Sequence, residues 1–345
     1  MGSPEKSGMG AASARVEFLN QPQERSADLA QAVAGFIIDD PQFNGEKVQV
    51  EFPQTGGASF VSILTTGKEK KERMVFKVTS KSEYSTGESF AFQAWEAAGA
   101  KVPHIYKTGT LDVMQDGELK SLPFVIMSFI DGKPLKESKS RDERLNARSY
   151  WHMGRLLRRM HRSKGEGNGL INEEGTGQFK SFNEWLTSEK MQRDTARVVE
   201  KGYIDADTIK RASEVLAAYA AEHPESTFCH MDFASHNIFD TEPLTVFDPG
   251  AELNISYIDV GKALVCNMED GEEAMDQLIE GYEAEDDSAG IAAEKLDPKV
   301  LHAAFIMSGL RKLVFFDKNP TREDVPGRLA AMLKYLADNK HYLDS

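Results

Sequence analysis

Three polar residues in the second half of the chain define the chemistry available to it: Asp232, Asn237 and Asp248. They stand in His230-Met-Asp232-Phe-Ala-Ser-His-Asn237 and in Val246-Phe-Asp248-Pro-Gly250. A carboxylate in a short loop, an amide soon after it and a second carboxylate closing an apolar run are the groups that phosphoryl transfer from ATP requires. One carboxylate receives or orients a hydroxyl proton, and an amide with a second carboxylate holds magnesium. Asp232 is assigned the first role, and Asn237 and Asp248 the second, because Mg²⁺ favours oxygen ligands and shares its sphere with substrate phosphates. His230 is expected to brace the loop by hydrogen bonds. Asp259, in Tyr257-Ile-Asp-Val260, is expected to cap or tether it from the following helix.

The spacing from Asp232 to Asn237 is that of the H-R-D-x-x-x-x-N loop of protein kinases, and Asp248 stands where their D-F-G aspartate would. Upstream lie residues suited to the nucleotide. Gly56, Gly57 and Ser59 fall between two strand-like runs, a context that rules out loops opening a helix and fits a lid over phosphates. A plain hairpin turn is the alternative. Lys77 is the one charged residue in Met74-Val-Phe-Lys-Val78, where an ammonium costs free energy unless it meets an anion. Glu88 is its expected partner, because Phe92 and Trp95 share its helix face. Backbone groups near Ser128 to Ile130 could bind adenine, with Met127 behind it. A buried strand would look the same.

These residues must be held by a scaffold. Residues 1–24 read as a disordered tail, 25–130 as a nucleotide-binding lobe and 131–345 as a catalytic and substrate-binding lobe. The first lobe shows a helix over Ser26–Ile38 and an antiparallel sheet of about five strands with one inserted helix from about Ser85 to Ala98. Helical periodicity dominates afterwards, over Arg148–Arg162, Asp205–His223, Gly271–Tyr282, Pro298–Phe316 and Pro326–Leu336. The expectation is a bilobal α+β protein with a cleft between lobes.

Bulk properties narrow the partners. A net charge of −14 argues against nucleic acid. No apolar run approaches the roughly 20 residues of a membrane-spanning helix. Two cysteines are too few for a disulfide framework and point to a reducing, cytoplasmic setting. Cys229 reads as a small buried residue ending a strand. The acid-rich stretch from Glu269 to Asp287, which includes Asp270, Glu272 and Glu273, is either a solvated helix face or a funnel for a cationic substrate.

With these motifs in hand, the chain resembles the aminoglycoside phosphotransferase and choline kinase-like superfamily, small-molecule kinases of protein-kinase-like fold. Gly56-Gly-Ala-Ser-Phe60 is similar to its G-G-x-S-N loop, with Phe60 in place of asparagine. Lys77 falls at its ATP lysine, and Glu88 at its helix glutamate. Pro123 to Leu135 resembles its hinge, and Leu156 to His161 its L-x-x-L-H helix with Met160 for leucine. His230-Met-Asp232 departs from H-G-D at the middle residue. The resemblance implies ATP or GTP with Mg²⁺ and direct γ-phosphoryl transfer to a hydroxyl. It implies Asp232 as base, Asn237 and Asp248 as metal ligands, and Lys77 held by Glu88 on the phosphates. It also strengthens the cationic reading, since an acidic second lobe receives polycationic sugars in aminoglycoside-modifying members.

The expected acceptor is an aminoglycoside or hygromycin-like antibiotic. The alternatives are a metabolic kinase for choline, a fructosamine or a related compound, and a nucleotide-binding regulatory module without turnover. A protein kinase is disfavoured, because the short path from Asp248 to Asp259 leaves no room for an activation segment and Ala234 replaces the catalytic-loop lysine. No obligate protein partner is implied.

Overall fold

The computed structural model describes residues 13–20, 22, 27–53, 59–67, 71–79, 82–115, 117–137, 143–322 and 325–343. Two compact units make up the chain. The first holds residues up to Ser85 together with His104–Phe129, and the second Thr86–Pro103 with everything from Ile130 onward. No helix among the described residues is long and apolar enough to cross a membrane.

The first unit carries β1 (Arg15–Phe18), α1 (Ala27–Asp39), β2 (Lys47–Glu51), β3 (Ser59–Thr66), β4 (Glu72–Thr79), then, after α2 (Ser82–Ala97), β5 (Ile105–Gln115) and β6 (Glu118–Ser128). Its six strands run in the order β1-β2-β3-β4-β6-β5. All neighbours are antiparallel except β1, which pairs parallel to β2. The sheet therefore has one strand more than the sequence pattern indicates, and that strand lies inside the stretch read as a disordered tail. The reason is local. Arg15–Phe18 shows no alternation of buried and exposed positions, and three of its four residues are exposed. It is held instead by backbone bonds of Arg15 to Glu46 and Leu19 to Val50, by the Phe18 ring edge-on to Phe52 at 5.2 Å, and by Asn20, whose amide exchanges two 2.7 Å bonds with the Phe52 backbone.

The face of α1 follows from its spacing. Ala30, Val33 and Ile37 are buried, and Phe36 meets Phe76 and Phe124 at 5.3 and 4.8 Å between ring centroids. Val48, Val50, Leu64, Phe76 and Ile126 complete a core in which each has no exposed surface. Burial stabilises each such side chain by roughly 1.5–3 kcal/mol. Because β4 is central and side chains alternate across it, Met74, Phe76 and Val78 enter this core and Lys77 points to the other face.

The second unit continues from α2 through α3 (Glu143–Met160), β7 (Lys164–Gly165), β8 (Asn168–Ile171), β9 (Gly177–Phe179), α4 (Phe182–Leu186), α5 (Glu189–Glu200) and α6 (Ala206–Glu222). It goes on with β10 (Ser226–Cys229), β11 (Ile238–Phe239), β12 (Thr245–Val246), β13 (Glu252–Asn254), α7 (Ser256–Asn267), α8 (Glu272–Glu283), α9 (Pro298–Lys318) and α10 (Val325–Asp338). The helices expected from periodicity are present. Asp205 caps α6 by accepting the Thr208 N–H, and Asp297 caps α9, whose first residue is Pro298. Helices α3 and α8 pack so closely that a Cβ on Gly281 would lie 1.9 Å from the Trp151 carbonyl oxygen, so any side chain there separates them.

Within this helical unit the structure adds a sheet that periodicity does not reveal, ordered β7-β10-β13-β8-β9, and a two-stranded ladder of β11 and β12. These strands are two to four residues long and carry too little alternation to be read from sequence. They are what positions the site: β10 pairs with β13, with Cys229 opposite Glu252, so the loops after β10 and before β13 leave side by side.

Candidate active site

The segment 230–237 leaves the end of β10 and closes in a 3₁₀ turn at Ser235–Asn237. Beyond it Ile238 pairs with Val246, and the Phe247 N–H donates to the Asn237 carbonyl at 3.1 Å. That pairing sets Asn237 and Asp248 at the same end of the β11–β12 ladder. The Asn237 amide nitrogen donates to the Asp232 carbonyl at 2.9 Å and to its Oδ2 at 3.0 Å. Asn237 thus fixes the aspartate while its own Oδ1 is turned to other use. Asp232 keeps 46% of its side-chain surface exposed, and Asp248 is exposed as well.

Asp259 enters from the first turn of α7 and is completely buried. Its Oδ2 accepts the His230 N–H at 2.6 Å and its Oδ1 the Met231 N–H at 2.7 Å, while His161 Nε2 lies 3.1 Å from Oδ2. Burial works to raise the Asp259 pKa, but His161 and the loop N–H groups outweigh it and hold the carboxyl below its usual value. The anion is therefore a permanent clamp on the loop. His161 Nδ1 is in turn 2.9 Å from the Tyr282 hydroxyl. His161, Cys229 and Asp259 offer ligand atoms within 4.8 Å of one another, but burial raises the Cys229 thiol far above its ordinary pKa, and the trio is spent on hydrogen bonds.

The His230 ring stacks on Trp95 (5.7 Å between centroids, 10° between planes) and meets Phe233 edge-on. Trp95 is anchored by its indole N–H on the Phe228 carbonyl. His230 Nε2 is 3.0 Å from the Phe247 carbonyl, and its Nδ1 accepts the Asp232 N–H at 3.3 Å. Burial lowers the His230 pKa, which favours the neutral ring that this donor–acceptor pattern needs. The ring braces both aspartate segments. Met231 has φ = 60° and Asp248 φ = 52°, left-handed conformations that glycine adopts without strain. Met231 stands where the resembled H-G-D motif has glycine. Its backbone is held by Asp259 and its side chain is buried.

The second oxygen of Asp232 faces another direction. Its Oδ1 lies 3.6 Å from Cys266 Sγ on α7. Further along, Asn267 accepts the Ser235 N–H and donates to the Phe233 carbonyl, pinning the turn from the opposite side.

Of the residues expected to serve the nucleotide, Gly56 and Gly57 lie outside the described residues. Ser59 opens β3. Lys77 is buried, 7% exposed, in the central strand β4. Met127 is buried at the end of β6, where the Ser128 N–H is spent on the His104 carbonyl and the Phe129 N–H on Arg73. Glu88 is buried in α2, in the part of that helix belonging to the second unit, as does Ile130.

Part of the acid-rich stretch is matched by cations: among the described residues Glu269, Glu272, Glu283 and Asp286 meet basic side chains. Glu269 binds Lys136 at 2.9 Å and Arg328 at 3.2 Å; burial would raise its pKa, yet these partners leave it lowered. Asp270 accepts from the Tyr150 hydroxyl at 2.5 Å and from Ser235 at 3.4 Å. Glu272 is 3.6 Å from Lys334, and Asp286 binds Arg155 and Arg159. Glu273 is exposed. Sequence reasoning missed His161, Asn267, Trp95 and these basic partners as members of the site's support. Only His161 left a signal, in the L-x-x-L-H-like helix end.

A search of curated protein sequences finds no match. Among solved structures the chain is similar to the aminoglycoside phosphotransferase APH(4)-Ia, with 17% identity, 88% of this chain and 98% of that one covered, and a TM-score of 0.58. It is similar also to a ternary complex of a thermostable variant of that enzyme with ADP and hygromycin B (16% identity, 84% and 94% covered, TM-score 0.57). A choline/ethanolamine kinase family protein from Mesorhizobium loti matches with 16% identity, 92% and 95% covered, and a TM-score of 0.51. These likenesses show the protein-kinase-like fold. The sequence model of the phosphotransferase enzyme family matches residues 53–294, which contain every motif described above, and the chain belongs to that family.

Proposed function

We propose that the protein is an ATP-dependent kinase that transfers the γ-phosphoryl group to a hydroxyl of a small molecule. The observation that carries this reading is the hydrogen-bonded pair Asp232–Asn237 beside Asp248 at one end of a strand ladder. Asp232 orients the acceptor hydroxyl and takes its proton. Asn237 uses its nitrogen on Asp232 and so presents Oδ1, and with the exposed Asp248 carboxylate it offers the oxygen donors that suit Mg²⁺. When bound, Mg²⁺ would neutralise charge on the transferring phosphates. Lys77, Glu88 and the Gly56–Ser59 loop are assigned to the nucleotide, with Met127, Ser128 and Ile130 near its base. GTP in place of ATP is compatible with the same groups.

The expectation of a cationic acceptor rests on the acid-rich stretch from Glu269 to Asp287, with Glu269, Asp270, Glu272 and Glu273 as its candidate contacts. Three of these four have partners within the chain, which weakens an aminoglycoside or hygromycin-like substrate. Hygromycin B is bound by a relative of 16% identity, which supports the fold and a hydroxyl-bearing ligand but does not select this chain's acceptor. A metabolic hydroxyl compound is an equal class. The test is a coupled Mg²⁺–ATPase screen over aminoglycosides, choline, ethanolamine, glycated amines and sugar acids. Acceptor-dependent ADP release that disappears in Asp232→Ala supports the kinase. Nucleotide binding with no turnover on any hydroxyl compound supports the regulatory module instead.

A further inference from the structure

The flank of Asp232 that faces away from Asn237 is basic. Asp232 Oδ2 is held by Asn237, on the side assigned to metal and phosphates, whereas Oδ1 faces Cys266 of α7. Lys262 lies one turn before Cys266 on the same helix face. Lys312 comes from α9, which packs along α7. Both lysines are partly buried, and neither has a carboxylate within ion-pair distance among the described residues. The remaining cation there, Arg328, is already paired with Glu269.

Burial pushes the Lys312 pKa down; Lys262 and Arg328 push it the same way, against the pull of Cys266 and Asp232. Lys312 has the Phe315 and Phe316 rings at 5.6 and 5.8 Å, which repays part of its desolvation. An ammonium partly withdrawn from water, beside other cations and touched by the Asp232 and Glu269 carboxylates only from beyond ion-pair distance, carries a cost that an incoming anion recovers. In a chain of net charge −14, two lysines outside any ion pair among the described residues stand out beside the proposed base.

We propose that the acceptor is a small hydroxylated anion, whose carboxylate or equivalent anionic group is received by Lys262 and Lys312 while Asp232 addresses its hydroxyl. The inference rests on the kinase reading and names the acceptor class for that same site. Transfer stays balanced: the hydroxyl oxygen forms its bond to the γ-phosphorus as the bond to the β-phosphate oxygen breaks. The hydroxyl proton passes to Asp232, and ADP leaves.

Two measurements on the full chain test it. In the first, sodium sulfate is the probe, added at matched ionic strength to enzyme saturated with Mg²⁺ and a non-hydrolysable ATP analogue, so that the nucleotide phosphate positions are filled. Sulfate is expected to raise the thermal midpoint of the wild type more than that of the Lys262→Met/Lys312→Met variant; equal shifts overturn the proposal. In the second, glucuronate, glucose and glucosamine present related hydroxyls with negative, no and positive charge, alongside any acceptor found by the ATPase screen. Anionic acceptors are expected to lead in kcat/KM, and Lys312→Met to raise their KM about tenfold, the equivalent of one lost charge contact, with the KM for ATP unchanged. Preference for cationic acceptors overturns the proposal while leaving the kinase intact. So does a loss in Lys312→Met that extends equally to hydrolysis of ATP by water, because the lysine would then serve the transferred phosphoryl. Absence of nucleotide binding in the wild type would instead remove the kinase reading itself.

Discussion

The loop at 230–237 and the acid-rich stretch at 269–287 both present themselves in sequence as carboxylates, yet the structure uses them in opposite ways. Around the loop, carboxylates are aimed: Asp259 is buried and consumed by two backbone N–H groups and a histidine, so that Asp232 can stay half-exposed with a defined orientation. In the stretch, part of the charge is neutralised: Glu269, Glu272 and Asp286 meet basic side chains from α3, α10 and the segment before α3. Density of charge is therefore a poor guide to a charged binding surface. What decides is whether the surrounding fold supplies a counter-charge.

The comparison can be sharpened by substitutions, beginning with the largest effects. Asp232→Ala is expected to lower kcat about 10²–10⁴-fold, the usual loss with a general base, while the urea midpoint barely moves. Steady-state kinetics beside urea unfolding would show whether chemistry and stability separate here. Asp259→Ala should do the reverse of separating them. It strands two buried N–H groups and His161, and we expect about 3–5 kcal/mol of lost stability together with lost activity. If the urea midpoint of that variant stays at the wild-type value, Asp259 is not the clamp.

Asp286→Ala breaks the best-formed pairing of the acidic stretch, a buried carboxylate whose pKa is brought down to about 2 by Ser288 and Arg159 against the raising effect of burial. A loss of about 2 kcal/mol with kcat preserved is expected, in keeping with hydrogen bonds to charged groups. A large fall in kcat would instead tie the stretch to catalysis.

A smaller effect concerns pH. Burial, aided by His341, lowers the His302 pKa from 6.5 to about 4, and its buried Nδ1 has no hydrogen-bond partner. A depressed folded-state pKa means that the unfolded chain binds the proton more tightly. Its contribution is therefore complete above pH 6.5 and is lost as the pH falls toward about 4. Urea midpoints measured from pH 7.5 to 4.5 should fall less steeply in His302→Phe than in the wild type. Smallest of all, Glu273→Gln should leave both the unfolding midpoint and the acceptor KM unmoved, because Glu273 is exposed. A raised KM for a cationic acceptor would restore the funnel reading of that stretch.

Much of the fold is legible without coordinates. Alternation in β2, β3 and β4 and the helical period of α3, α6 and α9 are strong because each element is long and buries one face. Strand β1 and most of the strands β7 to β13 escape that reading; β10 does not, since Cys229 is expected to end a strand and does. They are two to four residues long, and pairing partners rather than side-chain patterns specify them. Helices α4 and α5 lie outside the helices expected from periodicity, although Ser181 and Ser188 cap their starts. In the candidate site, Asp232, Asn237 and Asp248 are visible because phosphoryl transfer demands particular residue types at close spacing. Of their orienting partners, His161 is marked by the L-x-x-L-H-like helix end, whereas Trp95 and Asn267 come from remote positions where any of several residue types could serve, so no local pattern marks them.

The linear order of residues carries the inventory: which groups can handle a proton, a metal and a phosphate, and the family to which they belong. Those residue types are fixed by chemistry, and their spacing is short enough to survive in a linear reading. Which charges remain uncompensated follows from the folded arrangement. It matched Glu269 and Asp286 of the acidic stretch with distant arginines and lysines and left Lys262 and Lys312 outside any ion pair near Asp232. Electrostatic energy depends on separation in space and on burial, neither of which is encoded by separation along the chain.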